Sequence, residues 1–308
     1  MLTYKYCPPR QFSVGQHKMP FRRRTTRYRR TGRRPARATR YRRKSGYYPR
    51  IKGRRRPITK RRMLNATSTK KRDNMQPVVT TASGSTPVAG PVTLLGNQSY
   101  QFVWCATRRL METSLNFTPH RNAINCYMRG LKEHISITTN NSTSWKWRRI
   151  CFTVKGFRGL LGVITNADSL FTSAGWVRLL AQHNNDDMGN ILNGILFDGA
   201  AQVDWNDVMT AKTSSTRVKV MYDKTVTINS GVEGVMRDYR RWYPMNKTLT
   251  YDDDENGPNS QTSTGYSTVG RAGMGDYYVV DYIRANTTAS DEDTMTFSPE
   301  ATLYWHEK

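Results

Sequence analysis

From about residue 93 onward, apolar and polar positions alternate in short runs, and the period is that of strands rather than helices. Such runs cover 98–110, 131–139, 145–155, 175–182, 216–229, 235–250, 276–285 and 294–305. Turn residues part them: Asn140-Asn141, Gly156, and the stretch from Asp252 to Pro258. Only 184–210 has a helical pattern, and Gly189, Gly194 and Gly199 interrupt it. About eight strands in one uninterrupted stretch predict an all-β domain of two antiparallel sheets, a sandwich or jelly roll over 93–308. Several runs are apolar on both faces. Tyr100, Phe102 and Trp104 alternate with Val103 and Cys105, and Tyr277, Val279 and Ile283 lie opposite Tyr278, Val280 and Tyr282. We expect the second face of such strands to meet another subunit, with a covering helix or loop as the competing reading.

Ahead of residue 73 the alternation disappears and charge takes over. The 308 residues hold 49 Lys or Arg against 23 Asp or Glu, a net charge of +26. Residues 1–72 contain 27 of those cations and no acid, so the whole excess lies in one segment and the rest is near neutral. With five branched aliphatic residues, that segment cannot bury enough apolar surface to offset the entropy of ordering it. It reads as a disordered arm over 1–72, and the Pro-, Gly-, Ser- and Thr-rich stretch 73–92 reads as a linker. An arm this cationic points to a polyanionic partner.

The arm's candidate nucleic-acid contacts are Arg22, Arg23, Arg24, Arg27, Tyr28, Arg29, Arg30, Arg33, Arg34, Arg40, Tyr41, Arg42, Arg43, Lys44, Arg54, Arg55 and Arg56. Arg grips phosphate through two hydrogen bonds, and interleaved Tyr stacks on unpaired bases, a combination that suits single strands read without sequence preference. Three clusters, Arg22-Arg23-Arg24, Arg54-Arg55-Arg56 and Lys60-Arg61-Arg62, have the character of nuclear import signals. In the body, Arg237, Tyr239 and Arg241 share one face of an extended strand, with Arg240 and Trp242 on the other. They could form a stacking shelf with phosphate clamps, or an aromatic core with Arg at a subunit interface. Trp145-Lys146-Trp147-Arg148-Arg149 has the same two readings.

Catalytic patterns are missing. The five His are scattered with no HxH or HExxH, so no metal site is expected. The Gly-rich stretches 156–162 and 270–275 lack the Gly-Lys-Ser/Thr of a phosphate loop, and no cofactor is implied. Cys7, Cys105, Cys126 and Cys151 form no CxxC pair and read as reduced, small apolar residues. The acidic run Asp252–Glu255 reads as a solvated surface loop. No apolar run reaches 18 residues, so no helix is expected to span a membrane, and the first 25 residues lack a secretory signal pattern.

The opening MPFRRRTTRYRR is similar to the arms of capsid proteins of small circular single-stranded DNA viruses. More specifically, RGLKEHISITTNNSTSWKWRRICFTVKG (129–156) and VMYDKTVTI (220–228) resemble genomovirus capsid proteins, gemycircularvirus-like agents related to the geminivirus coat proteins. The prefix MLTYKYCPPRQFSVGQHK departs from that pattern by lying ahead of the usual type of start. The resemblance implies a single eight-stranded jelly roll forming a T=1 icosahedral shell of sixty copies. It implies as partner a circular single-stranded DNA genome and as location the virion, while the arm's basic clusters point to a host nuclear import receptor and, during assembly, the host nucleus. It implies no enzyme activity. The alternative is a non-viral nucleic-acid chaperone or RNA-binding structural protein with a basic tail.

Overall fold

The structure is a computed structural model that describes residues 58–80, 86–112, 117–161, 168–257 and 261–308. In chain order its elements are α1 (Lys60–Thr67), β1 (Thr69–Met75), β2 (Pro77–Thr80), β3 (Val88–Ala89), β4 (Val92–Leu95), β5 (Ser99–Cys105), β6 (Asn125–Thr139), β7 (Trp145–Val154), α2 (Phe157–Leu160), β8 (Phe171–Thr172), β9 (Gly175–Trp176), β10 (Arg178–Ala181), α3 (Asp187–Leu196), β11 (Lys219–Ile228), β12 (Val235–Glu255), β13 (Gln261–Ser267), β14 (Asp276–Ala285) and β15 (Thr294–Glu307).

Eight of these strands build the body. β4, β15, β6 and β12 lie side by side in one antiparallel sheet, and β5, β14, β7 and β11 in the other. Counted within that set, the neighbours are first–eighth–third–sixth and second–seventh–fourth–fifth. A chain that alternates between two sheets in this order is a jelly roll, so the fold is all-β as the alternation predicts. β1 continues the first sheet by pairing with the C-terminal half of β15, while β4 pairs with its N-terminal half. β13 adds a strand beyond β12, giving six in all. The alternation in β15 shows why the register holds. Met295, Phe297, Pro299, Ala301, Leu303 and Trp305 are buried in the sandwich, and the residues between them face outward.

Three expectations change here. First, the doubly apolar strands are covered by the chain itself. Val103, Cys105, Ile150, Phe152, Tyr278 and Val280, on the outer face of the four-stranded sheet, pack under Met188, Leu192 and Leu196 of α3 and under Phe197 and Met209. The long connection between β7 and β11 supplies that cover, so the competing reading is the correct one. Second, part of the stretch read as linker, and the end of the stretch read as arm, are strands: Lys71 of β1 pairs with Glu307 at 3.3 Å, and Asp73 with Arg109 at 2.8 Å. Third, 175–182 does not join the sandwich sheets. Its β10 pairs in parallel with β2, and this small sheet lies beside β5.

Between the sheets lies a closed ionic ring. Arg149 of β7 donates two hydrogen bonds to Asp281 of β14, at 2.6 and 2.8 Å, and a third to Glu133 of β6. Arg178 of β10 bonds Glu133 at 3.1 Å and Asp281 at 2.7 Å. All four side chains are essentially inaccessible to water. Trp147 Nε1 donates to the same Asp281 carboxylate at 2.7 Å, and Arg149 donates to the Tyr243 hydroxyl at 3.2 Å. Two cations and two anions cancel, which is the condition under which such charges are tolerated in a core. Burial alone would raise Asp281, but Arg149 and Arg178 hold its carboxyl below the ordinary value.

Candidate nucleic-acid interface

The outward face of the six-stranded sheet collects the other basic and aromatic side chains. Because side chains alternate along β6, Glu133 points into the sandwich while Tyr127, Arg129, Lys132 and His134 lie on the outer side. β12 contributes Arg240 and Trp242, β15 contributes Tyr304 and His306, and β1 contributes Lys70 and Arg72. Acids on this face include Asp238, whose carboxylate lies 3.9 Å from His134, and Glu300, with Asp252 and Asp254 further along β12.

Register turns these residues into rows. Lys70, His306, Tyr127 and Thr248 stand opposite one another across four strands, and Arg72, Tyr304 and Gly130 across three. Trp242, half-exposed on β12, reaches across β6 to meet the edge of Tyr304, with ring centroids 5.8 Å apart. Gly130 permits this. Its φ is +155°, and a Cβ there would sit 2.7 Å from the Trp242 ring and 2.5 Å from the Tyr243 carbonyl oxygen. Tyr127 and His306 form a second aromatic pair at 6.2 Å. Partial burial, reinforced by the nearby charges of Arg129 and Lys70, keeps the His306 imidazole below its usual pKa, so it is a neutral ring at neutral pH.

α1 lies at one end of the same face. The Thr59 hydroxyl caps it by accepting from the Arg62 amide at 3.3 Å. Beneath it opens a cavity of about 1380 Å³, lined among others by Arg62, Leu64, Tyr127, Arg129, Thr248 and His306. α1 therefore packs beside the basic–aromatic residues of this face. Chemically, flat rings beside guanidinium and ammonium groups can stack unpaired bases and hold the phosphates between them.

The residues chosen from sequence fare differently. Arg22 to Arg56, including Tyr28, Tyr41 and Lys44, lie outside the described residues. Lys60, Arg61 and Arg62 form the first turn of α1. Arg237 is exposed and donates to the Asn229 carbonyl at 3.3 Å. Tyr239 and Arg241 do not form an outward shelf. The half-buried Tyr239 ring meets Trp147 edge-on at 5.4 Å, and Arg241 lies 5.5 Å over Tyr239, on the side of β12 that faces the other sheet. The aromatic-core part of the second reading is the one seen, and it holds for 145–149 as well, where Arg148 and Arg149 pair with acids of the same chain rather than marking an interface. Trp145 and Trp147 are buried, and Arg148 makes a two-bond pair with Asp223 at 2.7 and 2.9 Å.

Sequence reasoning singled out Trp242 within the β12 cluster but missed Tyr304, Tyr127, Lys70 and Arg72. The acidic run is solvated only in part: Asp254 and Glu255 are exposed as expected, but Asp253 is not. The run belongs to the β12–β13 hairpin, and the Asp253 carboxylate is wholly buried against Arg121 at 2.5 and 3.0 Å. Among the described residues no group of three His, Cys, Asp or Glu could hold a metal ion, and no helix is long and apolar enough to cross a membrane. Cys105, Cys126 and Cys151 are buried and unpaired, and burial pushes the Cys151 thiol up to about 12.

Fold and face together define a jelly-roll protein with one cationic, aromatic sheet surface. No family model matches the chain, and no curated protein matches it. Among solved structures it is similar to an unassembled Washington University polyomavirus VP1 pentamer, a point mutant, at 9% identity over 82% of this chain and 97% of that one, with a TM-score of 0.13. It is also similar to an unassembled KI polyomavirus VP1 pentamer at 7% identity over 80% and 96%, with a TM-score of 0.12.

Proposed function

We propose that this protein is a viral capsid subunit. In this reading the jelly roll assembles into a closed T=1 icosahedral shell of sixty copies, and the N-terminal segment packages circular single-stranded DNA. That segment also carries the nuclear localisation signal, so the protein resides in the virion and, during assembly, in the host nucleus. The observation that carries the proposal is the placement of charge. The whole cationic excess lies in residues 1–72, and β1, the last part of that segment, adds Lys70 and Arg72 to the sheet face that bears Lys132, Tyr304 and Trp242. A shell needs such an asymmetry, with one surface for the polyanion and the others for neighbours. Large exposed apolar side chains on strand connections, among them Phe117, Leu160, Phe171, Val203, Val232 and Val269, suit contacts between copies.

Charge also sets a capacity. Sixty such segments would carry about 1,600 positive charges, enough for a strand on the order of 2,000 nucleotides at about one negative charge each. Electron microscopy of the purified full chain, with nuclease digestion of its contents, tests the reading. Closed particles protecting single-stranded DNA are expected. Small open oligomers bound to RNA would replace the capsid with a basic-tailed RNA-binding protein.

A further inference from the structure

We propose that the outer face of the six-stranded sheet holds a single strand extended and unstacked, with one base on Tyr304, the next on His306, and their phosphates on Arg72 and Lys70. This rests on the packaging reading and names the part of the body that meets the strand.

Tyr304 and His306 lie two residues apart on one face of β15, a spacing of ~6.8 Å at ~3.4 Å per residue. Bases stacked in a helix rise only ~3.4 Å. Adjacent rings on β15 therefore stand at twice the stacking distance, and neighbouring bases reach both rings only when the backbone is stretched and the bases part.

The cations repeat the same step. Arg72 is directly opposite Tyr304 and Lys70 directly opposite His306, both exposed on the neighbouring β1. Each ring is backed by another, Tyr304 by Trp242 and His306 by Tyr127. One step further along the same two strands, Asn74 and Thr302 bond each other at 2.9 Å, so the basic–aromatic ladder has two rungs. A duplex buries its base faces in its own stack and cannot use these rungs.

The test uses the full chain and oligo(dT) carrying one 5-iododeoxyuridine, irradiated and mapped by peptide mass spectrometry. Adducts on Tyr304 and His306, or on the rings behind them, are expected with single strands and absent with duplex. Tyr304→Leu should remove its adduct and weaken single-strand affinity about fivefold while leaving duplex affinity unchanged. If that variant fails to fold, Lys70→Ala with Arg72→Ala at exposed positions serves instead. It should reduce the slope of log K against log salt by about 1.4. Adducts confined to residues 1–57, equal adduct yield with duplex, or an unchanged salt slope would overturn the inference and leave the packaging reading standing. Failure of the full chain to bind any single strand would overturn both.

Discussion

Two basic–aromatic clusters lie on opposite sides of β6, one turning inward through Glu133 and the other outward through Lys132. The inner cluster holds Arg149, Arg178, Trp147 and Tyr243. The outer one holds Arg72, Lys132, Trp242 and Tyr304. Their composition is nearly the same, and what separates them is carboxylate. Inside, Glu133 and Asp281 take up both guanidinium groups. Outside, the paired strands bring rings and cations into register with few acids among them. The same residue types thus serve cohesion where anions are supplied by the chain, and are open to a foreign anion where they are not.

The largest effect should come from breaking the inner balance. Asp281→Ala leaves Arg149 and Arg178 sharing Glu133 alone in a dry core and should cost about 3–5 kcal/mol, read by denaturant unfolding. An equally large loss from Arg72→Ala would erase the distinction between the two clusters.

Gly130→Ala should cost about 1–3 kcal/mol by forcing a strained backbone and part Trp242 from Tyr304. Tryptophan fluorescence and thermal unfolding would register both. An unchanged emission spectrum would mean that the pair does not depend on that glycine.

A pH series separates burial from pairing. Asp276 is as buried as Asp281 but has Ser267 rather than Arg as partner. Burial dominates there and raises its carboxyl to about 7. The folded state then holds a proton that the unfolded chain releases near 3.8, so this contribution is full below that value and is lost as pH climbs toward 7. Asp276→Asn should flatten the fall in stability between pH 4 and 7, whereas Asp281, held below its ordinary value, should contribute the opposite slope at lower pH. Parallel curves for wild type and Asp276→Asn would refute the assignment.

The smallest effect on folding should belong to the outer cations. Lys132→Ala should shift stability by no more than about 0.5 kcal/mol, yet reduce the salt slope of single-strand binding by about 0.7.

Much of the fold was legible because alternation survives in long strands. Seven of the eight sandwich strands coincide with runs read from the sequence, although β6, β12 and β15 extend beyond them. The missing one, Val92–Leu95, is four residues long and sits amid Gly, Pro and Ser, where a strand and a linker look alike. The run at 175–182 was apolar enough to pass for a sandwich strand, and only its parallel partner β2 shows otherwise. The site was less legible. Periodicity said which residues of β12 share a face but not which face is buried. The answer lay further along: Tyr243, Met245 and Leu249 continue the inner face, while Pro244, Asn246 and Thr248 continue the outer one with Trp242. Lys70 and Arg72 were indistinguishable from the cations before them because nothing local marks β1 as a strand. It is one by virtue of a partner more than 220 residues away.

That distant partner has a kinetic consequence. β15 follows every other strand in the chain, yet it lies in the middle of its sheet, between β6 on one side and β1 and β4 on the other. Until it docks, β1 has no ladder to join, Trp305 and Leu303 are missing from the core, and Tyr304 is not across from Arg72. Pairings this remote in sequence form slowly, since their loop-closure entropy must be overcome first. The basic–aromatic rows therefore exist only once β15 has paired with β1 and β6. A nascent or half-folded chain carries the cationic segment but not yet the basic–aromatic face, which exists only in the finished subunit.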